Sequence, residues 1–485
     1  SIVSYVLGIT DVDPIQYNLL FERFLNPERV TMPDIDMDFS DRDREEIVHY
    51  VRQKYGDKYV AKIITFDTYG TRSIIRELLE RMDIDPYDKT YIINELKGYK
   101  GQPLIQFIKE NKSLTSYIKK VPILQTLFRH AIKLEGLPRH DSIHAAGIVL
   151  GKHPLTDYLP LMQGEDGGYV TQFPMNDLEQ LGLLKMDILG LRNLSSIQDI
   201  VHSIERRTGE RIHLNQLPEN DRKTFQLLQE GKTNGIFQLE SDGMKRVLKK
   251  LKPNSFEDIV ALNALYRPGP MEFIDTFVER KHGKAFTYIH PSVKPILEET
   301  YGVLVYQEQI MQIAHTVAGF SLGQADVLRR AVSKKQRSIM NEQEKAFVDG
   351  AIQKGYEESI AREIFSWIVQ FADYGFPKSH SVAYSKISYQ LSFLKANYPI
   401  HFYTAMLNHV RASGEKVATY VEEAKQQGIR ILPPSINESY APFTLEKGSV
   451  RIGLSLIKNV GISTVRHIVE ERKNGKFTDL YDFCN

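Results

Sequence analysis

The sequence has 485 residues, of which 42% are hydrophobic and 10% aromatic, enough to build the cores of about two to four globular domains. Its 62 lysines and arginines nearly balance 61 aspartates and glutamates, so a net charge of +1 excludes a polycation and any nucleic-acid site must come from local patches. The one cysteine, Cys484, excludes an internal disulfide, and no apolar run reaches the roughly 18 residues of a membrane span, so a cytoplasmic protein is expected.

The first part of the chain alternates between strand and helix patterns. After an opening apolar run and a helical stretch at residues 15–24, a helix is predicted at residues 41–55 and a hairpin turn at residues 166–168. The predicted strands span residues 29–39, 61–66, 147–150, 169–173 and 183–188. Residues 68–137 follow helical period almost throughout, so a helical insert is expected to divide this α+β region.

The remainder of the chain is predicted to be mostly helical. Helical patterns run from about residue 192 to residue 427, with loops at residues 267–270 and 374–381. Two basic runs, which are typical of solvated helix faces as well as of nucleic-acid patches, comprise Lys245, Arg246, Lys249, Lys250 and Lys252, and Arg329, Arg330, Lys334, Lys335 and Arg337. After residue 430, two short helices are predicted around Val460 and Gly461.

Three aspartates alternate along the first predicted strand. Asp34, Asp36 and Asp38 would project from one face about 7 Å apart, where like charges require solvent, basic partners or a cation. An all-oxygen set suits a hard ion such as Mg²⁺. A calcium loop of the EF-hand type is excluded because its sixth position, which needs glycine, is Phe39. A solvated acidic edge strand stays open as an alternative.

A single acidic residue interrupts a second apolar strand. Asp187 lies in the pattern Leu183 to Gly190 and needs a partner there. An aspartate pair on one strand and one aspartate on a neighbouring strand is the geometry that two-metal phosphoryl transfer requires. The two strands together therefore indicate a centre for phosphoryl transfer.

Long motifs follow one another in a fixed order along the chain: PDIDMDF, KMDILGLRNL, FQLESDGMKRVLKKL, NALYRPGPME, YGVLVYQEQIMQIA, DVLRRAVSKK and YGFPKSHSVAYSKISYQ. In this order they closely resemble the bacterial DNA polymerase III alpha subunit family, the C family of replicative polymerases, over essentially the whole sequence. The resemblance implies an α+β fold with a polymerase-beta-like nucleotidyltransferase palm, a helical thumb insert, large helical fingers and a C-terminal helix-hairpin-helix module.

The resemblance also implies a domain order and a reaction. The implied domains are 1–66 (first part of the palm), 67–142 (thumb), 143–192 (second part of the palm), 193–429 (fingers) and 430–485 (helix-hairpin-helix region). The implied reaction is template-directed attack of a primer 3′-hydroxyl on the alpha phosphate of a deoxynucleoside triphosphate, with two Mg²⁺ ions or Mn²⁺ in their place. Primer-template DNA, a sliding clamp and other replisome subunits are the implied partners, in the bacterial cytoplasm and without a membrane.

Matched to the family's motifs, the metal-binding catalytic triad falls on Asp34, Asp36 and Asp187, with Asp38 as a supporting or alternate ligand. The cations implied for the triphosphate are Lys185, Arg329 and Arg330. Because Lys185 lies two residues before Asp187 on one strand face, an ion pair between them is the alternative. Arg329 and Arg330 point about 100° apart on a helix, so both could bind phosphates, or one could bind and the other pack.

Further residues are assigned by the same resemblance. Arg267 and His380 match loops near the nucleotide, although loop residues of these types also serve as structural donors. His140 and His144 have i, i+4 spacing but lack the glutamate of a zinc motif, and a palm-lining role is expected for His144, with a plain core position as the alternative.

The segment from Ile457 to Val465 resembles a helix-hairpin-helix turn. Its DNA-binding residues are expected to be Lys458, Asn459, Gly461 and Ser463, because such a turn presents backbone N–H groups to a phosphate. A hairpin used only for packing is the alternative.

Two other functions stay open from the sequence. A metal-dependent nuclease also uses carboxylate pairs, but it gives no reason for the arginines, and nucleotide-dependent primer extension would separate the two. A catalytically silent DNA-binding scaffold predicts no metal requirement and no loss on changing Asp36.

Residues 1–5 resemble the point just after a Gly- and Ser-rich palm loop that holds the triphosphate in related enzymes. A chain that begins at Ser1 is therefore expected to bind primer-template DNA and to extend it feebly.

Overall fold

The structure, a computed structural model, describes residues 2–26, 35–333, 337–372 and 374–484. It has two compact units, which are termed the sheet unit (Met32–Gly190) and the helical unit (Ser1–Thr31 and Leu191–Asn485). The class is mixed α+β and mostly helical, as the sequence predicts. Within the described ranges, no helix combines the length and the apolar character needed to cross a membrane.

The helices are α1 (Ile2–Val6), α2 (Arg44–Tyr55), α3 (Thr71–Arg81), α4 (Pro86–Glu95), α5 (Leu104–Glu110), α6 (Lys112–Lys120), α7 (Pro122–Leu134), α8 (Met175–Gln180), α9 (Arg192–Thr208), α10 (Arg222–Gln229), α11 (Asp242–Leu251), α12 (Phe256–Leu265), α13 (Ile274–Lys281), α14 (Lys294–Leu297), α15 (Gln307–Ala318), α16 (Leu322–Ser333), α17 (Arg337–Gln353), α18 (Glu358–Ala372), α19 (Lys378–Asn397), α20 (Pro399–His409), α21 (Gly414–Gln426), α22 (Ile462–Glu471) and α23 (Leu480–Cys484). The strands are β1 (Ile35–Ser40), β2 (Val60–Thr68), β3 (Pro138–Leu150), β4 (Leu161–Gln163), β5 (Tyr169–Thr171), β6 (Leu184–Leu191), β7 (Ile431–Leu432), β8 (Thr444–Glu446) and β9 (Ser449–Arg451). Short 3-10 turns are Phe21–Arg23, Asp57–Tyr59, Leu96–Gly98, Leu155–Asp157, Leu214–Gln216, Pro270–Phe273, Pro291–Val293, Glu298–Thr300 and Leu454–Leu456.

A six-stranded sheet in the order β1-β6-β3-β2-β5-β4 forms the sheet unit. Strand β3 is antiparallel to both β2 and β6, and β5 runs parallel to β2. One face packs against α2, where Val48 and Val51 contact Ile148 and Ile188. The hairpin predicted at residues 166–168 joins β4 and β5, and Gly167 has the positive φ of 74° that the turn requires.

The helical insert predicted between the strands consists of α3 to α7, which lie between β2 and β3 in the chain. Its helices share one core and begin at recognisable caps: the Asp85 side chain accepts from the Tyr87 N–H and Asn111 from the Leu114 N–H, while Pro122 opens α7. Strand β3 starts nine residues before the predicted residue 147, because its exposed polar first half lacks apolar alternation.

The segment before residue 27 packs in the helical unit. Val12 and Tyr17 join the core of α9 to α13, and the Tyr17 hydroxyl donates to Glu219 at 2.6 Å. The Asn26 amide donates to the Gly323 carbonyl at 3.1 Å. The helix predicted at residues 15–24 is mostly turns, since these side chains are fixed by partners far along the chain and not by local period.

Two apolar cores and a small sheet complete the helical unit. One core includes residues of α9 to α13 and α19 to α21, and the other lies among α14 to α18. Strands β7, β9 and β8 form a three-stranded sheet before α22. The sequence did not predict this sheet, because strands of two or three residues are too short to show a period.

Candidate active site

Acidic side chains line one face of β1. Met37 and Phe39 pack in the core beneath α2, whereas Asp36 and Asp38, at the alternate positions, are exposed. Because successive side chains of a strand point to opposite faces, both carboxylates lie on the face away from α2. Asp34, the first member of the predicted triad, lies outside the described residues.

The neighbouring strand β6 brings a third carboxylate to the same face. Met186 and Ile188 belong to the core beneath α2, so Lys185 and Asp187 point the other way. Since β1 and β6 are adjacent in the sheet, Asp36 and Asp187 share one face on neighbouring strands. This is the arrangement that the alternation of the two motifs predicted.

Asp187 is paired at one oxygen only. The Lys185 ammonium lies 2.8 Å from Asp187 Oδ2, and the two side chains are 11% and 14% exposed, respectively. The other oxygen, Oδ1, is buried, and no donor reaches it in the part of the chain that the structure describes. An unsatisfied buried oxygen is costly, so this atom marks a place for an additional cation or donor.

The residues at this face suit a hard divalent cation. Among residues 2–26, 35–333, 337–372 and 374–484, no group of three or more His, Cys, Asp or Glu side chains converges closely enough to hold a metal ion. Asp36 and the unpaired Oδ1 of Asp187 are nevertheless oxygen donors of the type that Mg²⁺ prefers.

His144 lies beside Asp187 at an irregularity of β3. Residues between Ile143 and Ile148 bulge relative to β2, and the His144 Nδ1 accepts the Gly147 N–H at 2.7 Å. Gly147 is the direct partner of Asp187, and a Cβ on this glycine would lie 2.8 Å from His144 Nδ1. The ring therefore occupies the Asp187 face, where its neutral form carries a proton on Nε2.

His144 is half-buried on this face, and the palm-lining role stays a prediction. His140 lies further out on β3, where its Nε2 is 2.8 Å from the exposed carboxylate of Asp67.

The two predicted arginines of α16 have different surroundings. Arg329 is 7% exposed and donates through Nε and Nη2 to Asp326 Oδ1 at 2.9 and 2.7 Å. Asp326 is itself buried, so the pair is structural. Arg330 is only half-buried. Arg329 therefore packs within its own helix, and a phosphate contact by Arg330 stays a prediction.

Arg267 and His380 take part in a line of aromatic contacts. The Arg267 Nε donates to the Ala264 carbonyl at 2.9 Å, a second nitrogen donates to the Tyr374 carbonyl, and the guanidinium lies 4.5 Å from the Phe376 ring centroid. These contacts give Arg267 structural partners, and its contact with a nucleotide stays a prediction. His380 is exposed and stacks on Tyr384 at 4.2 Å between centroids, a surface on which a base can stack.

Sequence reasoning missed the buried acid that holds the start of α19. Glu308 is 2% exposed, and its Oε2 accepts the Lys378 N–H at 2.9 Å. Gln307 holds the preceding loop through its N–H, which donates to the Phe376 carbonyl at 2.9 Å. Glu308 lies in the YQEQ motif, but nothing local in the sequence indicates a partner 70 positions away.

The predicted DNA-binding residues lie together on an exposed turn. The Val460 N–H donates to the Ile457 carbonyl at 3.0 Å, Asn459 adopts a φ of 68°, and Gly461 is the N-cap of α22. A helix was predicted on the N-terminal side of this exposed turn, but the structure has the short 3-10 turn Leu454–Leu456 there. Lys458, Asn459, Gly461 and Ser463 are all exposed, so the first turn of α22 is accessible to a phosphate.

Comparison with known protein families gives three matches along the chain. Residues 1–190 match the bacterial DNA polymerase III alpha NTPase domain, residues 193–355 match the bacterial DNA polymerase III alpha subunit finger domain, and residues 428–485 match a helix-hairpin-helix motif. The last match covers the exposed turn described above.

Curated relatives are similar over the whole chain. Proteins called DNA polymerase III subunit alpha are 52% identical over 485 residues in Bacillus subtilis strain 168, 49% over 486 residues in Halalkalibacterium halodurans and 50% over 489 residues in Staphylococcus aureus strain COL. Each alignment covers 100% of this chain but only 44%, 44% and 45%, respectively, of the relative. The chain thus spans less than half the length of these proteins.

Proposed function

Because the chain belongs to the bacterial DNA polymerase III alpha subunit family, we propose that it carries the nucleotidyl-transfer centre of a template-directed DNA polymerase. The reaction would be attack of a primer 3′-hydroxyl on the alpha phosphate of a deoxynucleoside triphosphate, with release of pyrophosphate. The sheet unit would be a palm of the polymerase beta type, with α3 to α7 as the thumb.

One observation carries this proposal: a buried carboxylate oxygen without a donor lies on the same sheet face as a second carboxylate. Asp187 Oδ1 and Asp36 are on adjacent strands and point away from α2. Together with Asp34 they would hold two Mg²⁺ ions, or Mn²⁺ in their place. When bound, such ions activate the attacking hydroxyl and stabilise charge on the leaving phosphate.

The chain's own cations would orient the nucleotide. Lys185 shares the carboxylate face, and its ammonium can contact phosphate oxygens if it leaves Asp187. On α16, Arg330 is the better candidate for a phosphate contact, since Arg329 is committed to Asp326. Arg329 would neutralise the buried Asp326 within α16. The stack of His380 on Tyr384 would contribute a planar surface for a base.

The exposed turn before α22 would bind the backbone of primer-template DNA. A helix N-terminus with free N–H groups attracts a phosphate, and Lys458 adds a positive charge beside it. Contacts of this kind position a duplex without reading its sequence. Assembly with a sliding clamp and other replisome subunits, in the cytoplasm, stays a prediction from the family.

Primer extension with the full chain tests the proposal. The parent chain should extend a primer only with Mg²⁺ or Mn²⁺ and with the deoxynucleotide that the template specifies. Asp187→Asn should abolish extension and leave primer-template binding within about twofold, since a metal ligand is removed without a change of shape.

Asp166→Asn is the matched control for this experiment. Asp166 belongs to the same unit, but its partners are Lys62 and Arg52. Extension by the Asp187 variant at the parent rate would contradict the proposal, and so would equal losses in the two variants.

A further inference from the structure

Lys185 pairs with Asp187, yet the proposed reaction needs the same ammonium to contact the phosphates of the nucleotide. We propose that Lys185 is a displaceable counter-ion: it neutralises Asp187 in the metal-free chain, and a divalent metal releases it to bind the substrate's phosphates. The second half rests on the proposed function. The first half concerns only the competition between an ammonium and a metal ion for one carboxylate.

The geometry shows a carboxylate that is only partly satisfied. Lys185 Nζ contacts Oδ2 of Asp187 at 2.8 Å, while Oδ1 is buried and receives no donor within the described ranges. An ammonium of this kind is a monovalent point charge at one oxygen. A divalent cation brings twice the charge and can use the oxygen that the ammonium leaves unpaired.

Burial explains why Asp187 needs a resident cation. Its side chain is 14% exposed, and an isolated charge at that depth is costly unless it is paired. Lys185 supplies the pair from two residues away on the same strand face, so no distant element has to move to hold it.

Metal binding makes the same contact unfavourable. A divalent ion at Asp187 repels an ammonium at 2.8 Å from the same carboxylate, and its charge replaces the neutralisation that Lys185 gave. The flexible four-carbon stem of lysine lets the ammonium move away without a backbone change. The released ammonium is then available to an incoming anion, so phosphate binding by Lys185 follows metal binding.

Removal of the Lys185 ammonium should strengthen metal binding. In the absence of DNA and nucleotide, Lys185→Met should bind Mn²⁺ about tenfold more tightly than the parent, because the metal no longer has to displace a partner whose contact contributes about 1.4 kcal/mol. Lys185→Arg should bind Mn²⁺ more weakly than the parent, since a guanidinium can hold both carboxylate oxygens. Calorimetry or electron paramagnetic resonance of Mn²⁺ gives both affinities.

Two controls separate displacement from a general change in charge. Lys62→Met removes a lysine of the same unit, which pairs with Glu45 and Asp166, and should leave Mn²⁺ affinity unchanged. The gain from Lys185→Met should vanish in an Asp187→Asn background. Equal or weaker Mn²⁺ binding by Lys185→Met would overturn the inference, and so would a gain that survives without Asp187.

The inference and the proposed function can fail separately. If Lys185→Met binds Mn²⁺ more tightly but no form of the chain extends a primer, the counter-ion role stands and the polymerase proposal fails. If extension depends on Asp187 while Lys185→Met leaves metal affinity unchanged, the polymerase proposal stands and the displacement is wrong. When both hold, the tighter metal binding of Lys185→Met accompanies a higher KM for the nucleotide.

Discussion

Two carboxylates, one in each unit, each have a buried oxygen without a hydrogen-bond donor among the described residues, and they differ in what surrounds them. Asp187 and Glu308 each have one oxygen with a partner and one that no donor reaches within the described ranges. Asp187 pairs with the Lys185 ammonium and lies on a face with other acids. Glu308 is 2% exposed, and its carboxyl accepts a hydrogen bond from the backbone N–H of Lys378. Burial raises the pKa of this carboxyl.

The surroundings determine how the energetic cost of each unpaired oxygen can be relieved. A buried acid with a raised pKa can keep a proton, which relieves the cost of its charge without any ligand. Asp187 has a cation beside it and further carboxylates on its face, so its free oxygen is suited to a metal ion. The difference separates an acid that stabilises the fold from acids that are proposed to bind a metal ion.

The largest effect on primer extension is expected at the acids that are proposed to bind the metal ions. Asp36→Asn should reduce primer extension by about 1000-fold, because an amide is a poor replacement for a charged ligand in a phosphoryl-transfer site. Glu308→Gln, the same type of exchange at the structural acid, should reduce extension by less than about threefold. Steady-state extension and a primer-template binding assay check both, and comparable losses in the two variants would contradict the distinction.

Two neighbouring arginines of α16, Arg329 and Arg330, show the same difference between a side chain that stabilises the fold and one that is proposed to bind a ligand. Arg329→Ala leaves the Asp326 carboxylate buried without its partner, so the free energy of unfolding should fall by about 3 kcal/mol. Arg330→Ala should reduce kcat/KM for the nucleotide by about tenfold. Urea unfolding and extension kinetics separate the two. A stable Arg329→Ala chain with impaired nucleotide use would reverse the assignment.

The raised pKa of Glu308 predicts a smaller, pH-dependent effect. The folded chain keeps a proton on Glu308 above the ordinary pKa of 4.5, whereas the unfolded chain releases it. The stabilising contribution is therefore complete below that value and is lost as pH rises through the raised pKa, at about 1.4 kcal/mol for each pH unit that separates the folded and unfolded pKa values. Glu308→Gln cannot titrate, so its stability relative to the parent should rise over this window.

Unfolding by urea between about pH 4 and pH 8 measures that difference. Asp326→Asn is an unsuitable comparison because it also breaks the Arg329 pair, whereas Glu308→Gln keeps the acceptor for Lys378. A stability difference between parent and variant that stays flat over this range would show that Glu308 is charged in the folded chain.

Local periodicity explains which parts of the fold could be predicted. Strands β2, β5 and β6 and the helical insert have regular alternation or helical period, and they were predicted close to their bounds, whereas β3 starts nine residues earlier than predicted. The packing of the segment before residue 27 has no such local signal, because the residue that accepts from the Tyr17 hydroxyl, Glu219, lies 202 positions away. Strand β7 has only two residues, too few for any pattern.

The need for a local sequence pattern also limited the prediction of the site. Period two predicts the face of each aspartate within its own strand, and the adjacency of β1 and β6 in the sheet then puts Asp36 and Asp187 on one face. The spacing of Asp326 and Arg329, three apart on a helix, was a local signal for their ion pair that the prediction of a phosphate contact did not use. No local signal existed for Glu308, whose partner is fixed by packing of α15 against the loop before α19.

The smallest effect is expected at the exposed turn before α22, where each contact is with solvent-accessible phosphate. Lys458→Ala should lower primer-template affinity only a few-fold at moderate salt, and the slope of log affinity against log salt concentration should become shallower by about 0.9, the value for one phosphate contact. The loss should be equal for unrelated sequences, since a helix N-terminus and a lysine at the backbone read no bases. Lys473→Ala is the control, because this exposed lysine of the same region is paired with Glu470 at 2.6 Å. An equal change of slope in both variants would mean that the region contributes only diffuse positive charge, and a loss that depends on DNA sequence would contradict backbone binding by the turn.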